Sequence, residues 1–171
     1  MLSLSDTACR DSGLDPEAIQ ALAAVARRAA LAGAQPLREL FGKLQSVRAK
    51  GLAGNLVTEA DLAAEAAVLA VLRQDTPKVP VLAEEGGRLA GEGPLEWCVD
   101  PLDGTTNYAH GFPFFGTSVG LTWRGTPLLG AFAMPAMEQV FWAAPGHGAW
   151  CNGERIQVTD CAHVALSLIH I

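Results

Sequence analysis

Hydrophobic and polar positions along the chain follow two periods, and helical spacing dominates the first part. Over residues 15–33, apolar residues recur at helical spacing after an Asp-Pro pair that is typical of a helix start. A second Ala- and Leu-rich helix is predicted over residues 58–74. The Gln35-Pro36 pair is expected to interrupt the first helix. For residues 37–50 the pattern is equally compatible with a helix and with a helix followed by a loop. Two packing helices are therefore predicted.

Short strands dominate the later part of the chain. Alternating or continuously apolar runs bounded by turn residues predict strands over 79–83, 97–99, 117–123, 127–134, 139–143, 149–151 and 155–158. The Asn152-Gly153 pair is a strong hairpin signal between the last two. Residues 88–96 are expected to form a surface loop and residues 1–13 a flexible leader. The pattern predicts an α/β fold with two helices packed on a largely antiparallel sheet.

Candidate chemistry concentrates where the strand over 97–99 ends. Asp100 and Asp103 follow it directly, and Pro101 between them is expected to stop the strand. Gly104 permits a tight turn, and Thr105 belongs to the residue types that open helices. Carboxylates in a tight loop suit Mg²⁺, and free N–H groups at a helix start suit phosphate. The alternative interpretation is an ordinary turn and helix cap.

Two further acidic positions precede this stretch. Glu84 and Glu85 end the strand over 79–83, and adjacent residues of a strand point to opposite faces, so only one of them is expected to face a site. Asp61 follows Thr58 at the spacing of a capping box, which explains it as a first-turn acid of the second helix. A functional role for Asp61 is compatible with that structural one.

Composition narrows the classes of function. The 171-residue chain has 12 basic and 18 acidic residues, a net charge of −6, and no basic stripe, which argues against a nucleic-acid partner. Half of the residues are hydrophobic, as in globular proteins, yet no apolar run is long enough to span a bilayer, and the N-terminus lacks a signal-peptide pattern. Four widely spaced cysteines form neither a zinc nor a disulfide framework. A cytoplasmic protein with no membrane partner is predicted.

Residues 100–107, Asp-Pro-Leu-Asp-Gly-Thr-Thr-Asn, resemble the metal-binding signature of the inositol monophosphatase family, and we call them the signature segment. Other elements of that family have matches in the same order, namely Lys50, residues 58–61, the Glu84-Glu85 pair and residues 110–114. Because separated elements agree, the resemblance is specific, and it covers roughly residues 14–158.

The resemblance implies a fold and a domain organisation. Members are layered α-β-α-β-α sandwiches and commonly homodimers, and this chain would be the N-terminal half of such a sandwich. Residues 14–160 would form the metal-binding domain. Residues 161–171 do not resemble the family's continuation, so an aberrant or truncated tail without the C-terminal domain is expected.

The resemblance also implies a set of metal ligands. Glu84, Asp100 and the carbonyl of Leu102 would hold a first Mg²⁺, and Asp100 and Asp103 would help to hold a second. The family uses two or three Mg²⁺ ions, Mn²⁺ can substitute, and Li⁺ inhibits. Because a further carboxylate of the second site is missing here, weak binding of the second ion is expected.

The remaining roles concern water and phosphate. By resemblance, Asp61 and Thr105 orient the attacking water beside the catalytic Glu84, and the N–H groups of Gly104 and Thr105 meet the phosphate. Lys50 would lie on an active-site loop, although an ordinary solvated lysine explains it equally well.

The implied activity is Mg²⁺-dependent hydrolysis of a small phosphorylated polyol or alcohol. Inositol monophosphate is the favoured substrate, with histidinol phosphate and sugar bisphosphates as the competing ones. Low activity is expected if the chain is truncated. The alternative is a metal-binding or interaction remnant of the family that has no catalytic activity.

Overall fold

The computed structural model of the chain describes residues 4–43, 47–49 and 56–159, so Lys50 and the segment 161–171 lie outside the described residues. The described elements, in chain order, are α1 (Leu4–Ser12), α2 (Pro16–Leu40), β1 (Val47–Ala49), β2 (Leu56–Thr58), α3 (Glu59–Asp75), β3 (Val81–Ala83), β4 (Gly87–Leu89), β5 (Leu95–Asp103), α4 (Thr105–Ala109), β6 (Gly116–Trp123), β7 (Thr126–Met134), β8 (Gln139–Ala144), β9 (Gly148–Cys151) and β10 (Glu154–Ile156). None of the described helices has the length and apolar character needed to cross a membrane.

One large sheet supports the fold. Its eight strands lie in the order β10-β9-β8-β7-β6-β5-β3-β4. Strands β6 to β10 form the predicted antiparallel meander, which ends in a hairpin at Asn152-Gly153, and β5 pairs antiparallel with β6. The pair β3 and β5 is parallel, because β4 lies between them in the chain and runs back antiparallel on the outer side of β3. Strands β1 and β2 form a separate antiparallel pair. The predicted α/β class with a largely antiparallel sheet is confirmed.

Helices α2 and α3 pack against each other and against the sheet, α2 on β6, β7 and β8 and α3 on β5. Asp15 begins α2 as predicted, with its side chain accepting a hydrogen bond from the N–H of Ala18 at 2.7 Å. The helices bury small residues, which lets them approach the sheet closely. The core contains Ile19, Ala26, Ala30, Val68, Leu72, Trp97, Val99, Val119, Leu121 and Ala131.

Two expectations for the N-terminal region were wrong. Residues Leu4–Ser12 form helix α1 where a flexible leader was expected, because Ala8 is buried against the core. Pro36 does not interrupt α2, which continues to Leu40. Leu37 is fully buried and its carbonyl accepts the N–H of Phe41, so tertiary packing and the next helical hydrogen bond keep the helix intact past the proline.

Two expectations for the strands also need correction. Pro101 does not stop the strand, because β5 runs to Asp103 with a register shift between Asp100 and Asp103 that accommodates the proline. The carbonyl of the buried Pro101 accepts a hydrogen bond from Thr117 Oγ1 at 2.9 Å. Within the expected surface loop over 88–96, part of β4 and the start of β5 are found, because β4 pairs back on β3.

A helix position with no room for a side chain generates a first prediction. A Cβ placed on Gly33 in α2 would lie 2.7 Å from the Cγ2 atoms of Thr117 and Val68. Alanine normally favours a helix by about 1 kcal/mol over glycine, but overpacking a core costs about 1–3 kcal/mol. We expect Gly33→Ala to lower the free energy of unfolding, measured in urea, by about 1–2 kcal/mol. The control Gly120→Ala, whose Cβ would meet its nearest atom at 3.9 Å, is expected to change it by less than about 0.5 kcal/mol. A stabilised Gly33→Ala protein would contradict the packing.

Candidate functional site

The parallel pairing of β3 with β5 brings two acidic residues together. Ala83 is paired with Val99, so Glu84, the first residue after β3, lies beside Asp100 of β5. The N–H of Glu84 donates to the carbonyl of Val99 at 3.1 Å, which extends the ladder by one residue past β3. Two positions that lie 16 residues apart in the chain thereby become neighbours.

The pKa of Asp100 is raised by its burial and by the acidic residues that surround it. Burial, then the charge and a hydrogen bond of Glu84, then the charge of Asp103, raise the pKa of Asp100 to about 7. The N–H of Leu102 donates to Asp100 Oδ1 at 3.1 Å and opposes the rise by stabilising the ionised form. Of the predicted metal ligands, the structure therefore brings Glu84 and Asp100 into direct contact, with Asp103 close enough to act on Asp100 electrostatically.

Asp61 connects the start of α3 to the signature segment. Its Oδ2 atom accepts hydrogen bonds from the N–H of Thr58 at 2.8 Å and from Thr58 Oγ1 at 2.7 Å, which completes the predicted capping box. Its Oδ1 atom lies 3.3 Å from Thr105 Oγ1, which also lies 3.0 Å from the carbonyl oxygen of Leu102. Asp61 is 1% exposed. Its side chain therefore combines two roles in a buried position, because one oxygen caps α3 and the other contacts the predicted site.

The turn of the signature segment depends on Gly104. This residue precedes α4 in the left-handed region, with φ of 88°, and a Cβ there would lie 3.0 Å from the carbonyl oxygen of Phe114. Asn107 binds the following loop from both sides, through Nδ2 to the Phe114 carbonyl and through its own carbonyl to the Phe112 N–H, each at 2.8 Å. Residues 110–114 therefore fold back onto the signature segment.

Two residues near the site were not identified from sequence. Tyr108 is buried and donates from its hydroxyl to the Leu37 carbonyl at 2.8 Å, and burial together with the charge of Asp61 raises its pKa. Glu65 is buried and accepts the N–H of Glu85 at 2.8 Å. For Glu65 a signal existed, because it follows Asp61 by four positions and therefore shares its helix face. For Tyr108 the chain offers no local signal.

The donor set can be tested for a divalent cation. Among the described residues, no group of three or more His, Cys, Asp or Glu side chains forms a ready-made metal cage. Mg²⁺ is nevertheless commonly held by one or two carboxylates together with waters and substrate phosphate. Glu84 and Asp100 supply such a pair, and their mutual repulsion is what a cation would relieve. The residues present therefore fit Mg²⁺.

The two histidines within the described residues contact backbone carbonyls. His110 Nδ1 lies 2.8 Å from the carbonyl oxygen of Thr106, and His147 Nε2 lies 3.2 Å from that of Pro16. These contacts agree with loop and turn positions. Lys50, predicted for an active-site loop, lies outside the described residues.

Comparison with known proteins identifies the family of the chain. The family model described as "Inositol monophosphatase family" matches residues 18–170, which includes most of the segment expected to be aberrant. The chain is 38% identical to an inositol-1-monophosphatase of Synechocystis over 95% of its own length and 57% of the relative's. It is 41% identical to a fructose-1,6-bisphosphatase/inositol-1-monophosphatase of Aquifex aeolicus over 80% of its length and 52% of the relative's. The chain thus spans about half the length of these curated relatives.

Solved structures agree with the sequence comparison. The crystal structure of extragenic suppressor protein suhB from Bartonella henselae superposes with a TM-score of 0.78 at 35% identity, over 82% of this chain and 55% of that one. The match covers most of the described sheet and helices, so the helix-on-sheet architecture is common to both proteins.

A pair of glycines with the same φ tests the turn of the signature segment. Gly104 and Gly93 both have φ of 88°, but a Cβ on Gly93 would meet nothing within 4 Å. We expect Gly93→Ala to cost about 1–2 kcal/mol, the usual cost of the left-handed region for an L-residue. Gly104→Ala should cost more, because the Phe114 carbonyl adds a steric clash. Urea unfolding measures both, and equal losses would contradict the close contact between the signature segment and the loop that follows it.

Proposed function

Because the chain belongs to the inositol monophosphatase family, we propose that it carries the cation- and phosphate-binding part of a Mg²⁺-dependent phosphomonoester hydrolase. The observation that carries the proposal is the contact between Glu84, at the end of β3, and Asp100 in the parallel strand β5, where two carboxylates are held together against their repulsion. A protein gains nothing in stability from such a pair, so a bound cation is its natural explanation.

Four residues are proposed to hold the cations. Glu84, Asp100 and the Leu102 carbonyl would hold a first Mg²⁺, and Asp100 with Asp103 would hold a second. When bound, Mg²⁺ lowers the pKa of a water molecule and neutralises charge on the phosphate and leaving oxygen. The N–H of Leu102 donates to Asp100 Oδ1 and fixes that carboxylate before a cation arrives.

Asp61 and Thr105 are proposed to orient the attacking water. The two bonds from Thr58 fix Oδ2 of Asp61, so Oδ1 is directed at the Thr105 hydroxyl. A hydroxyl has one proton and two lone pairs. If Thr105 donates that proton to Asp61, its lone pairs can accept a hydrogen bond from water, and the proton is held on a defined side of the site.

The phosphate is proposed to bind at the start of α4. The first N–H groups of a helix have no partner within the helix, and Gly104 presents its backbone without a side chain. The N–H groups of Gly104 and Thr105 would then face phosphate oxygens. Lys50 is proposed to approach the same site.

The substrate is proposed to be a small phosphorylated alcohol. Inositol monophosphate is favoured, since the matching relative from Synechocystis is named for it, and the name of the Aquifex relative adds fructose 1,6-bisphosphate. Histidinol phosphate remains an alternative. Inhibition by Li⁺, substitution by Mn²⁺ and a homodimer are proposed from the same family membership.

Cation binding is the first test. We expect the Mg²⁺ affinity of Asp100→Asn, measured by calorimetry at pH 8, to fall at least about tenfold below that of the unaltered chain. At that pH Asp100 is ionised, so the substitution also relieves repulsion, and the metal-free variant should unfold with a free energy higher by on the order of 1 kcal/mol, a value reduced because the half-buried side chain is screened by solvent.

Asp15→Asn is the matched control. It removes the same charge from an exposed helix cap, and asparagine caps equally well. Neither Mg²⁺ affinity nor stability should change appreciably. Equal Mg²⁺ affinity in Asp100→Asn and in the unaltered chain would contradict the proposed cation site.

Phosphate release is the second test. Inositol 1-phosphate, histidinol phosphate and fructose 1,6-bisphosphate are incubated with the 171-residue chain, with and without Mg²⁺. We expect Mg²⁺-dependent release at a low rate, because only two carboxylates, Asp100 and Asp103, are proposed for the second cation, which should therefore bind weakly. Asp100→Asn should lower the rate by at least about a hundredfold. Mg²⁺ binding without release from any substrate would contradict hydrolysis and favour a binding role.

A further inference from the structure

A buried carboxylate lies behind the candidate site and has no part in the roles proposed above. Glu65 is 7% exposed, on the turn of α3 that follows Asp61. Glutamate is rarely buried unless its charge is satisfied. Its Oε2 atom accepts a hydrogen bond from the N–H of Glu85 at 2.8 Å, across 20 positions of the chain. The Glu65 carboxylate is therefore hydrogen-bonded to the backbone of the turn that follows β3.

The same carboxylate also fills the space beside position 86. A Cβ placed on Gly86 would lie 2.8 Å from Glu65 Oε1. Gly86 does not have a positive φ, so backbone strain is not what disfavours a side chain there. An added Cβ would instead have to displace the end of the Glu65 side chain. Glu65 and Gly86 thus form a matched contact between α3 and the turn.

Two consecutive peptide groups of this turn are bound from opposite sides. The N–H of Glu84 donates to the Val99 carbonyl on β5, and the N–H of Glu85 donates to Glu65 on α3. Together these bonds fix the backbone on both sides of the Glu84 side chain, and hence the direction in which it leaves the chain. Such an anchor matters because Glu84 and Asp100 repel each other.

We propose that Glu65 is a positioning residue that fixes the turn Glu84–Gly86 and so holds Glu84 beside Asp100 for cation binding. The inference deepens the proposed function and rests on it. Since Asp61 and Glu65 lie four positions apart on α3, a single helix face sets both the partner of Thr105 and the turn that carries Glu84. The two halves of the site are then aligned through one rigid element.

Two substitutions at position 65 test the role. Glu65→Ala removes the acceptor, whereas Glu65→Gln keeps an oxygen that can accept the Glu85 N–H. We expect Glu65→Ala to speed amide hydrogen exchange of Glu85, measured by NMR, and to weaken Mg²⁺ binding by about tenfold, as loss of an outer hydrogen bond does at other metal sites. Glu65→Gln should restore most of the protection and of the affinity. Glu39→Ala, an exposed helical carboxylate, serves as the control.

Gly86→Ala provides an independent test of the same contact. In the unaltered background the added methyl group displaces the Glu65 carboxylate, so Mg²⁺ affinity and Glu85 protection should both fall. In the Glu65→Ala background the methyl group has space, so the double variant should behave like Glu65→Ala alone. Such non-additivity is expected of residues in direct contact. If Glu65→Ala fails to fold, Gly86→Ala and Glu65→Gln still decide the question.

The outcomes separate this inference from the proposed function. Unchanged Glu85 exchange in Glu65→Ala overturns the positioning role, and so does unchanged Mg²⁺ affinity when exchange is faster. If the unaltered chain binds no Mg²⁺, the proposed function fails. In that case the positioning role is decided by comparing the amide NMR shifts of Glu65→Ala with those of the unaltered chain. A change confined to residues 84–86 and Asp100 supports the role, and no change overturns it.

Discussion

The parallel pairing of β3 with β5 is the constraint on which the candidate site depends. Every other neighbouring pair described in the large sheet is antiparallel, and an antiparallel β3 would place Glu84 at the far end of β5 from Asp100. The parallel direction follows from chain order, since β4 lies between β3 and β5 in the chain and runs back antiparallel to β3, while α3 packs on β5. Helix α3 also carries Asp61 and leads into β3, so this part of the chain positions both Asp61 and Glu84 beside the signature segment.

This arrangement opposes stability locally. Asp100 is half-buried next to Glu84 and feels the charge of Asp103, which is why its pKa rises to about 7. The contact that opposes this rise comes from a backbone group, the N–H of Leu102 on Asp100. Such a neutral donor holds the Asp100 carboxylate in place without removing its negative charge. A carboxylate held in this way is positioned for a cation, and the usual exchange of stability for function explains it.

Sequence predicted the features whose partners lie within a few residues. The Asp15 cap, the capping box of Thr58 with Asp61 and the Asn152-Gly153 hairpin are confirmed, because each is complete within one turn of chain. Rules about single residues failed where distant packing acts. Pro36 lies inside α2 and Pro101 inside β5, because burial of the adjacent chain and hydrogen bonds from elsewhere outweigh the lost N–H. Propensity is a weak prior when tertiary contacts are this extensive.

The candidate site divides in the same way. The spacing of the signature segment identified Asp100 and Asp103 as neighbours, and the family resemblance added Glu84, although their metal-binding roles stay predictions. Glu65 and Tyr108 were not identified because their partners are backbone groups 20 and 71 positions away. Nearly every residue carries the same backbone groups, so the sequence does not show which of them will be a partner. Side-chain types therefore indicate which chemistry is present, whereas its geometry is set by peptide groups that only the folded chain brings into contact. A substitution that spares every predicted ligand can still move the site.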